Sequence, residues 1–248
     1  MATHKITATH AQVHESPKTA FTYFRASGLL AKWPIIGTIM FLFGILMFGG
    51  LTYNLVAQGP LLKWDVSLAN TLPAIGLRSP SFVKVIMEAG YYIGNLGLMV
   101  LGVLIGFYFI IKRLWQELAM LTIGMAGDSL LFLSLSNFIG RARPPTQIWD
   151  ILKIPGYPSG HTMAVVVFFG LLAYLLTPNI QSAFWKAVVV ATALFLIIFV
   201  GFTRVFTGGH YLTDVLAGYA IGIAWSGMAY TLIEIYFQKR RNLNVKKG

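Results

Sequence analysis

The sequence contains no cysteine and few charged residues. Charged residues make up 11% of its 248 positions, whereas a soluble domain carries roughly 25%. The missing cysteines exclude disulfides, a thiolate nucleophile and cysteine metal sites. With 56% hydrophobic residues and a mean hydropathy of +0.70, the composition indicates an integral membrane protein organised as a single domain.

Acidic residues are scarce. The chain has 8 Asp and Glu against 19 Lys and Arg, which gives a net charge of +11. This excess does not form a soluble basic domain. It mostly flanks apolar segments, where positive charge sets orientation and contacts anionic lipid headgroups. We therefore expect no nucleic-acid partner.

Six apolar segments approach the roughly 20 residues of a membrane-spanning helix, namely 34–57, 91–111, 118–139, 162–177, 187–202 and 211–237. They predict an all-α fold, a six-transmembrane helical bundle. We expect a cytoplasmic N-terminal tail (1–33), a transmembrane domain (34–238) and a basic cytoplasmic tail (239–248). The connection 58–81 has apolar residues at roughly helical spacing, which fits either an amphipathic helix on the membrane or an ordered loop packed on the bundle.

The distribution of basic residues predicts the orientation. Six spans put both termini and two short turns on one side, with twelve Lys and Arg, and leave seven on the other side. The positive-inside rule places the more basic side in the cytoplasm. The polar motifs described next then lie on the extracytoplasmic face.

Three polar motifs lie at the ends of apolar segments: RARP at 141–144, PSGH at 158–161 and TR-x5-H-x3-D at 203–214. Arginine and histidine cost free energy near hydrocarbon, so this grouping indicates a functional site. His210 and Asp214 are four residues apart, on one face of a helix. There the carboxylate can fix the imidazole tautomer and leave the other ring nitrogen as a nucleophile.

The other two motifs supply groups that suit a phosphate. Ser159 and Gly160 fit a helix N-cap, whose free N–H groups bind anions, and His161 stands where it can move a proton. Arg143 and Arg204 carry guanidinium groups that match phosphate oxygens and keep their charge.

Each motif alone has a simpler interpretation. The His–Asp pair and PSGH could cap helices, and single arginines commonly extend to lipid headgroups. Three motifs on one predicted face favour a single site instead, and its residue types suit phosphate-ester cleavage at a bilayer surface. For Asp128, in the middle of the third segment, we favour a structural role within the bundle over a catalytic one.

The motifs resemble those of the type 2 phosphatidic acid phosphatases, also called lipid phosphate phosphatases, which share their fold with vanadium haloperoxidases. The family pattern is K-x6-RP, PSGH and SR-x5-H-x3-D. The matching residues are Arg143, Pro144, Pro158, Ser159, Gly160, His161, Arg204, His210 and Asp214. Two positions depart from the pattern: Thr203 replaces the serine, and Ser136 stands where the family has lysine.

The resemblance implies a metal-independent phosphatase that needs no cofactor. In it, His210 would be the nucleophile that forms a phosphohistidine, and Asp214 would orient it. His161 would protonate the leaving oxygen and then activate water. The phosphoryl oxygens would be held by Arg143, Arg204, Ser159 and Gly160.

The missing lysine leaves alternatives open. Arg141 and Lys153 are candidates to replace the charge that is absent at Ser136.

The expected substrate is a membrane lipid phosphate monoester or diphosphate, such as undecaprenyl diphosphate, phosphatidylglycerophosphate or phosphatidic acid. We expect an enzyme of the bacterial plasma membrane with an extracytoplasmic site. The alternatives are a lipid phosphotransferase that uses the same intermediate and a catalytically weak lipid-phosphate binding protein.

Overall fold

A computed structural model describes residues 33–145 and 154–245 of the chain. Over these ranges the chain folds into α-helices joined by short turns. The helices are α1 (Trp33–Val56), α2 (Leu61–Leu77), α3 (Pro80–Tyr91), α4 (Gly97–Ile111), α5 (Trp115–Ile139), α6 (Gly160–Leu176), α7 (Ala183–Phe206) and α8 (Leu212–Val245). A π-helical segment (Tyr92–Leu96) joins α3 to α4, and a 3-10 turn (Thr177–Asn179) follows α6.

The predicted fold class is confirmed. Six helices of the described chain are long and apolar enough to cross a membrane: Pro34–Val56, Pro80–Ile111, Trp115–Ile139, Gly160–Asn179, Ala183–Phe206 and Leu212–Arg240. The second begins earlier than residue 91, because Pro80 suits the first turn of a helix and the polar lead-in is itself helical. Its charges form an exposed i,i+4 pair, with Lys84 Nζ 3.8 Å from Glu88 Oε1.

Helix α8 lies at the centre of the bundle. Of its apolar window 67% is buried, against 11% for α7, and it packs against α1, α6 and α5. Glycines let α1 approach α8 closely. A Cβ on Gly44 would lie 2.4 Å from the carbonyl oxygen of Ala220, and one on Gly227 would lie 2.5 Å from that of Gly37. This glycine seam fixes α1 against the helix that follows His210.

The connection between the first two spans contains helix α2, which contradicts a loop for most of its length but agrees with packing on the bundle. Its buried residues recur at helical spacing: Asp65, Ala69, Pro73 and Gly76. That face packs against α7 and α8. An aspartate therefore lies on the buried face of a helix that carries none of the three motifs.

Candidate active site

The three motifs meet at one end of the bundle. Helix α5 ends at Ile139, where Gly140 takes a φ of 65° that favours glycine, and the RARP motif follows. PSGH leads into α6, which begins at Gly160. The third motif spans the turn from α7 into α8 and places His210 just before the central helix.

His210 is buried with its two ring nitrogens in different surroundings. Nδ1 lies 2.8 Å from the carbonyl oxygen of Gly156 and 3.5 Å from Oδ2 of Asp214. Both neighbours only accept hydrogen bonds, so Nδ1 carries the proton and Nε2 presents its lone pair. Burial lowers the pKa of His210, although Asp214 acts in the opposite direction. The ring is therefore mostly neutral near pH 7, as a nucleophile requires.

Gly156 contacts His210, and the sequence interpretation did not include it among the candidate site residues. A Cβ there would lie 3.2 Å from Cγ of Arg143 and 3.3 Å from Oδ2 of Asp214, so only glycine fits without displacement. Its carbonyl supplies the shorter of the two contacts to Nδ1 of His210. The available signal was a glycine two residues before the PSGH motif.

Arg143 faces the other side of the His210 ring. Its Nη1 lies 3.0 Å from Nε2 of His210 and donates to the carbonyl oxygen of Gly209 at 2.9 Å. Its Nε donates to the carbonyl oxygen of Ile154 at 3.0 Å. Two backbone segments thus hold this guanidinium against the imidazole.

Asp214 belongs to a second polar group behind the ring. Its Oδ2 accepts from the backbone N–H of Tyr211 at 2.9 Å, and its Oδ1 accepts from Nη1 of Arg141. Nη2 of Arg141 lies 2.8 Å from Oδ2 of Asp65, which is 1% exposed. Asp65 also accepts from the backbone N–H of Thr213, at 2.9 Å. The sequence interpretation missed both Asp65 and Thr213.

Arg141 therefore lies between the carboxylates of Asp65 and Asp214. The sequence had made it a candidate to replace the missing lysine charge at the phosphate. Its guanidinium also stacks on the ring of Tyr211, 4.2 Å from the ring centroid. Burial alone would lower the pKa of Arg141, but Asp214 and Asp65 raise it. Lys153, the other candidate, lies outside the described residues.

The PSGH residues stand across from His210. The ring of His161 has its centroid 6.4 Å from that of His210, at an interplanar angle of 69°. Ser159 precedes α6 in an extended conformation, and its backbone N–H donates to the carbonyl oxygen of Asp214 at 3.0 Å. Its Oγ is buried and makes no hydrogen bond to any described residue.

Arg204 reaches the same region from the end of α7. Its Nη2 donates to the carbonyl oxygen of Gly90 at 2.9 Å, while its buried Nε has no partner among the described residues. A Cβ on Gly94 would lie 3.5 Å from Nη2 of Arg204. Gly94 belongs to the π-helical segment Tyr92–Leu96, a type of irregularity that is frequent at functional sites.

A cavity of about 240 Å³ lies between His210 and His161, and neither Arg204 nor Ser159 is among its lining residues. Its lining includes His210, Arg143, His161, Gly160 and Gly94. It extends between α5 and α6 to Asp128. The predicted site residues that the structure brings together here therefore come from all three motifs.

The two residues that depart from the family pattern, Ser136 and Thr203, each donate a hydrogen bond to a backbone carbonyl. Ser136 is fully buried, and its Oγ donates to the carbonyl oxygen of Pro155 at 3.1 Å. Thr203 Oγ1 donates to the carbonyl oxygen of Val200 at 2.7 Å, within its own helix. Ser136 thus ties α5 to the segment that carries Gly156.

Comparison with known proteins gives consistent matches. The profile of the PAP2 superfamily matches residues 113–237. Phosphatidylglycerophosphatase B of Bacillus subtilis (strain 168) is 27% identical over 186 residues, which cover 74% of this chain and 88% of that protein. Lipid A 1-phosphatase of Rhizobium etli is 34% identical over 116 residues, which cover 43% of this chain and 45% of that protein. This chain thus matches less than half the length of the lipid A enzyme.

A solved structure agrees with these matches. It is the crystal structure of the first transmembrane PAP2 type phosphatidylglycerolphosphate phosphatase from Bacillus subtilis. It superposes with a TM-score of 0.65 at 26% sequence identity, covering 82% of this chain and 96% of that one.

Proposed function

This chain belongs to the PAP2 superfamily, and on that premise we propose that it is a membrane phosphatase that releases inorganic phosphate from a lipid phosphate monoester through a phosphohistidine at His210. The observation that carries the proposal is the convergence of His210, Arg143 and His161 on one cavity. The cavity lies at one end of a bundle with six apolar spans, where an amphiphilic substrate can enter from the lipid.

The first half-reaction transfers the phosphoryl group to the enzyme. The substrate phosphate replaces the ring nitrogen as the partner of Arg143, and the lone pair of Nε2 forms the bond to phosphorus. The bond between phosphorus and the lipid oxygen breaks, and His161 donates a proton to that oxygen. Gly156 and Asp214 stabilise the proton on Nδ1 as the ring gains positive charge.

Fixed donors stabilise the charge on the phosphoryl oxygens. Arg143 and Arg204 supply guanidinium groups, and Ser159 supplies a hydroxyl whose Oγ has no partner among the described residues. Removing one such donor costs on the order of 3–4 kcal/mol of transition-state stabilisation in other enzymes. Electrostatic stabilisation by these side chains is therefore a large part of the proposed rate enhancement.

The second half-reaction restores the enzyme. His161, now neutral, accepts a proton from water, and the water oxygen attacks phosphorus. The bond between phosphorus and Nε2 breaks, and inorganic phosphate leaves. One histidine thus acts first as acid and then as base.

We take phosphatidylglycerophosphate as the leading substrate. Support comes from phosphatidylglycerophosphatase B, of which the matched region covers 88%, and from the solved phosphatidylglycerolphosphate phosphatase, of which it covers 96%. The lipid A 1-phosphatases match over a much smaller share of their length.

The direct test is phosphate release from phosphatidylglycerophosphate in mixed micelles with a chelator present. We expect turnover by the wild type, none by His210→Ala or His161→Ala, and normal turnover by His14→Ala, a histidine outside the motifs. A strict requirement for a divalent metal would contradict the proposed chemistry. So would turnover by His210→Ala.

A second test separates the roles of the two histidines. p-Nitrophenyl phosphate has a leaving group that needs no acid, so His161→Ala should release about one equivalent of nitrophenolate and then stall as phosphoenzyme. The label from the phosphoryl group should be stable in alkali, labile in acid, and located on His210. An absence of the burst would count against His161 as the base of the second step.

We propose that the site faces the extracytoplasmic side, on the basis of the charge distribution. The absence of native cysteine allows clean labelling of single introduced cysteines. Ala57→Cys, on the side of the site, should react with an impermeant maleimide in intact cells. Ser182→Cys, in the turn before α7, should react only after permeabilisation. The reverse labelling pattern would show that the site faces the cytoplasm and would contradict the proposed orientation.

A further inference from the structure

We propose that Asp128 forms a hydroxyl-recognition subsite in the active-site cavity, so that the enzyme prefers lipid phosphates whose leaving group carries a free hydroxyl beside the phosphate ester. The inference rests on the proposed function and names the substrate class more closely. It assigns to Asp128 a role in binding the leaving group, with no part in the phosphoryl transfer itself.

The position of Asp128 is unusual for a carboxyl group. It lies within the membrane-spanning part of α5, is 2% exposed, and lines the cavity that also contains His161 and His210. Ionisable groups inside membrane spans are costly and are found facing cavities and partners that use them. Burial away from the lipid, in the wall of the cavity, fits that pattern.

Asp128 also lacks a hydrogen-bond partner for its buried Oδ1 among the described residues. Three side-chain donors of this region of α5 and α8 are engaged with backbone carbonyls. Ser129 Oγ donates to Met125 at 3.0 Å, Trp225 Nε1 to Gly124 at 2.8 Å, and the hydroxyl of Tyr230 to Val167 at 2.9 Å. A buried acceptor without a partner is destabilising, so a ligand that supplies a donor gains binding free energy there.

The depth of Asp128 places it on the leaving-group side. Phe132 packs on the start of α6, since a Cβ on Gly160 would lie 3.0 Å from its ring. Asp128 lies four residues, about 6 Å, nearer the start of α5 than Phe132 and hence deeper in the bundle. Ala164, in the opposite wall, is about one turn beyond His161. A leaving group that takes its proton from His161 therefore extends towards Asp128.

The chemistry of the two ends defines the ligand. One end of the cavity is cationic and binds the phosphate, and the other offers a carboxyl group that accepts a hydrogen bond from a hydroxyl. Phe132 and Ala164 make the wall between them apolar, which strengthens such a bond. A phosphorylated polyol headgroup meets both requirements. A polyprenyl diphosphate has no hydroxyl to offer and carries a second anionic phosphate.

The experiment uses two substrates that differ in one hydroxyl. Phosphatidylglycerophosphate has a free hydroxyl on the central carbon of its headgroup, and phosphatidylpropanediol phosphate lacks it. For the wild type we expect kcat/KM to be roughly 10- to 100-fold higher with the hydroxyl present. In Asp128→Leu the ratio should fall to about one. Asp128→Asn keeps an acceptor and should retain part of the preference.

The control is Ser129→Ala, which removes a hydroxyl already bound to the backbone and should leave the preference unchanged. Equal kcat/KM for the two lipids in the wild type would overturn the inference, as would an equal loss on both lipids in Asp128→Leu. If Asp128→Leu does not fold, the ratio of kcat/KM for the two lipids in the wild type and in Asp128→Asn tests the inference. Release of phosphate from neither lipid by the wild type would instead contradict the proposed function.

Discussion

Nη1 of Arg143 lies 3.0 Å from Nε2 of His210, the atom that we propose attacks phosphorus. In the unliganded protein this guanidinium therefore occupies the direction of attack. An anionic phosphate is a stronger acceptor for arginine than a neutral ring nitrogen. Substrate binding would thus draw Arg143 onto the phosphate and free the lone pair in the same step, which links recognition to activation of the nucleophile.

Arg143 should consequently affect the transition state more than substrate affinity. We expect Arg143→Ala to lower kcat/KM roughly 100- to 1,000-fold, and Arg143→Lys to recover part of this because it keeps the charge but loses the planar geometry. Phosphate release from phosphatidylglycerophosphate measures both. Arg78→Ala, an exposed arginine at the end of α2, serves as the control. Full activity of Arg143→Ala would exclude it from the site.

Asp65 should act through Arg141 and Asp214 rather than on the substrate. Asp65→Asn leaves Arg141 with a single carboxylate partner and weakens the bond from Thr213. We expect the free energy of unfolding to fall by about 1–3 kcal/mol and kcat to fall roughly tenfold, because the nucleophile loses its fixed orientation. Turnover and denaturant unfolding in detergent measure both effects. Glu88→Gln, which changes an exposed carboxylate, is the control. A rise in KM with unchanged kcat would contradict a positioning role.

The neutral state of His210 should persist below the pH at which a free imidazole gains its proton. Burial lowers its pKa from the ordinary 6.5. The unfolded chain therefore binds this proton more readily, and the stability contributed by neutral His210 is present above pH 6.5 and lost as the pH falls towards the folded-state pKa. The prediction is a protonation midpoint below 6.5.

Carbethoxylation, which requires a neutral ring, measures that midpoint. A variant lacking His4, His10, His14 and His161 retains His210 as its only histidine. The rate of modification, followed by mass spectrometry, should reach half its maximum below pH 6.5. Because Asp214 raises the pKa of His210, adding Asp214→Asn should move the midpoint lower still. A midpoint above 6.5, or an upward movement in that variant, would contradict the assignment.

Ser136 should matter as an anchor for the segment that carries Gly156. Ser136→Ala leaves the carbonyl of Pro155 without its donor, one residue before the carbonyl that holds His210. We expect a loss of about 1 kcal/mol in the free energy of unfolding and a measurable fall in kcat. Ser134→Ala is the matched control, because Ser134 is exposed and its hydroxyl donates to the carbonyl oxygen of Leu130 within α5. Equal effects of the two substitutions would show that the Ser136 contact is unimportant.

The sequence predicted that the three motifs lie together, because they combine unusual residue types with fixed spacing. Arginines and histidines are rare next to apolar segments, so their presence at the segment ends is easily recognised. Six spans place all three motifs at the same end of the bundle. The matched family region, residues 113–237, contains all three motifs. The fold class followed from the lengths of the apolar segments alone.

The missed residues depend on tertiary contacts that no local pattern reports. Asp65 meets Thr213 across 148 positions of sequence, through the packing of α2 on α8. For Asp128 the sequence favoured a structural role, and only the three-dimensional arrangement shows that it lines the cavity and that its Oδ1 has no hydrogen-bond partner among the described residues. Gly156 accepts from His210 by virtue of a backbone carbonyl, which every residue type possesses.

The glycine seam between α1 and α8 has a consequence for how the site is held together. At Gly37 and Gly227 the two backbones approach closely, and a Cβ on Gly37 would also overlap the side chain of Thr231, so the contact leaves little room for a displacement. Helix α2 follows α1 after the short turn 57–60 and carries Asp65, which accepts from Thr213 at the start of α8, so we expect the glycine seam to influence the position of Asp65. Widening the seam with a single methyl group, far from any reacting atom, should tilt the carboxylate pair and slow the enzyme.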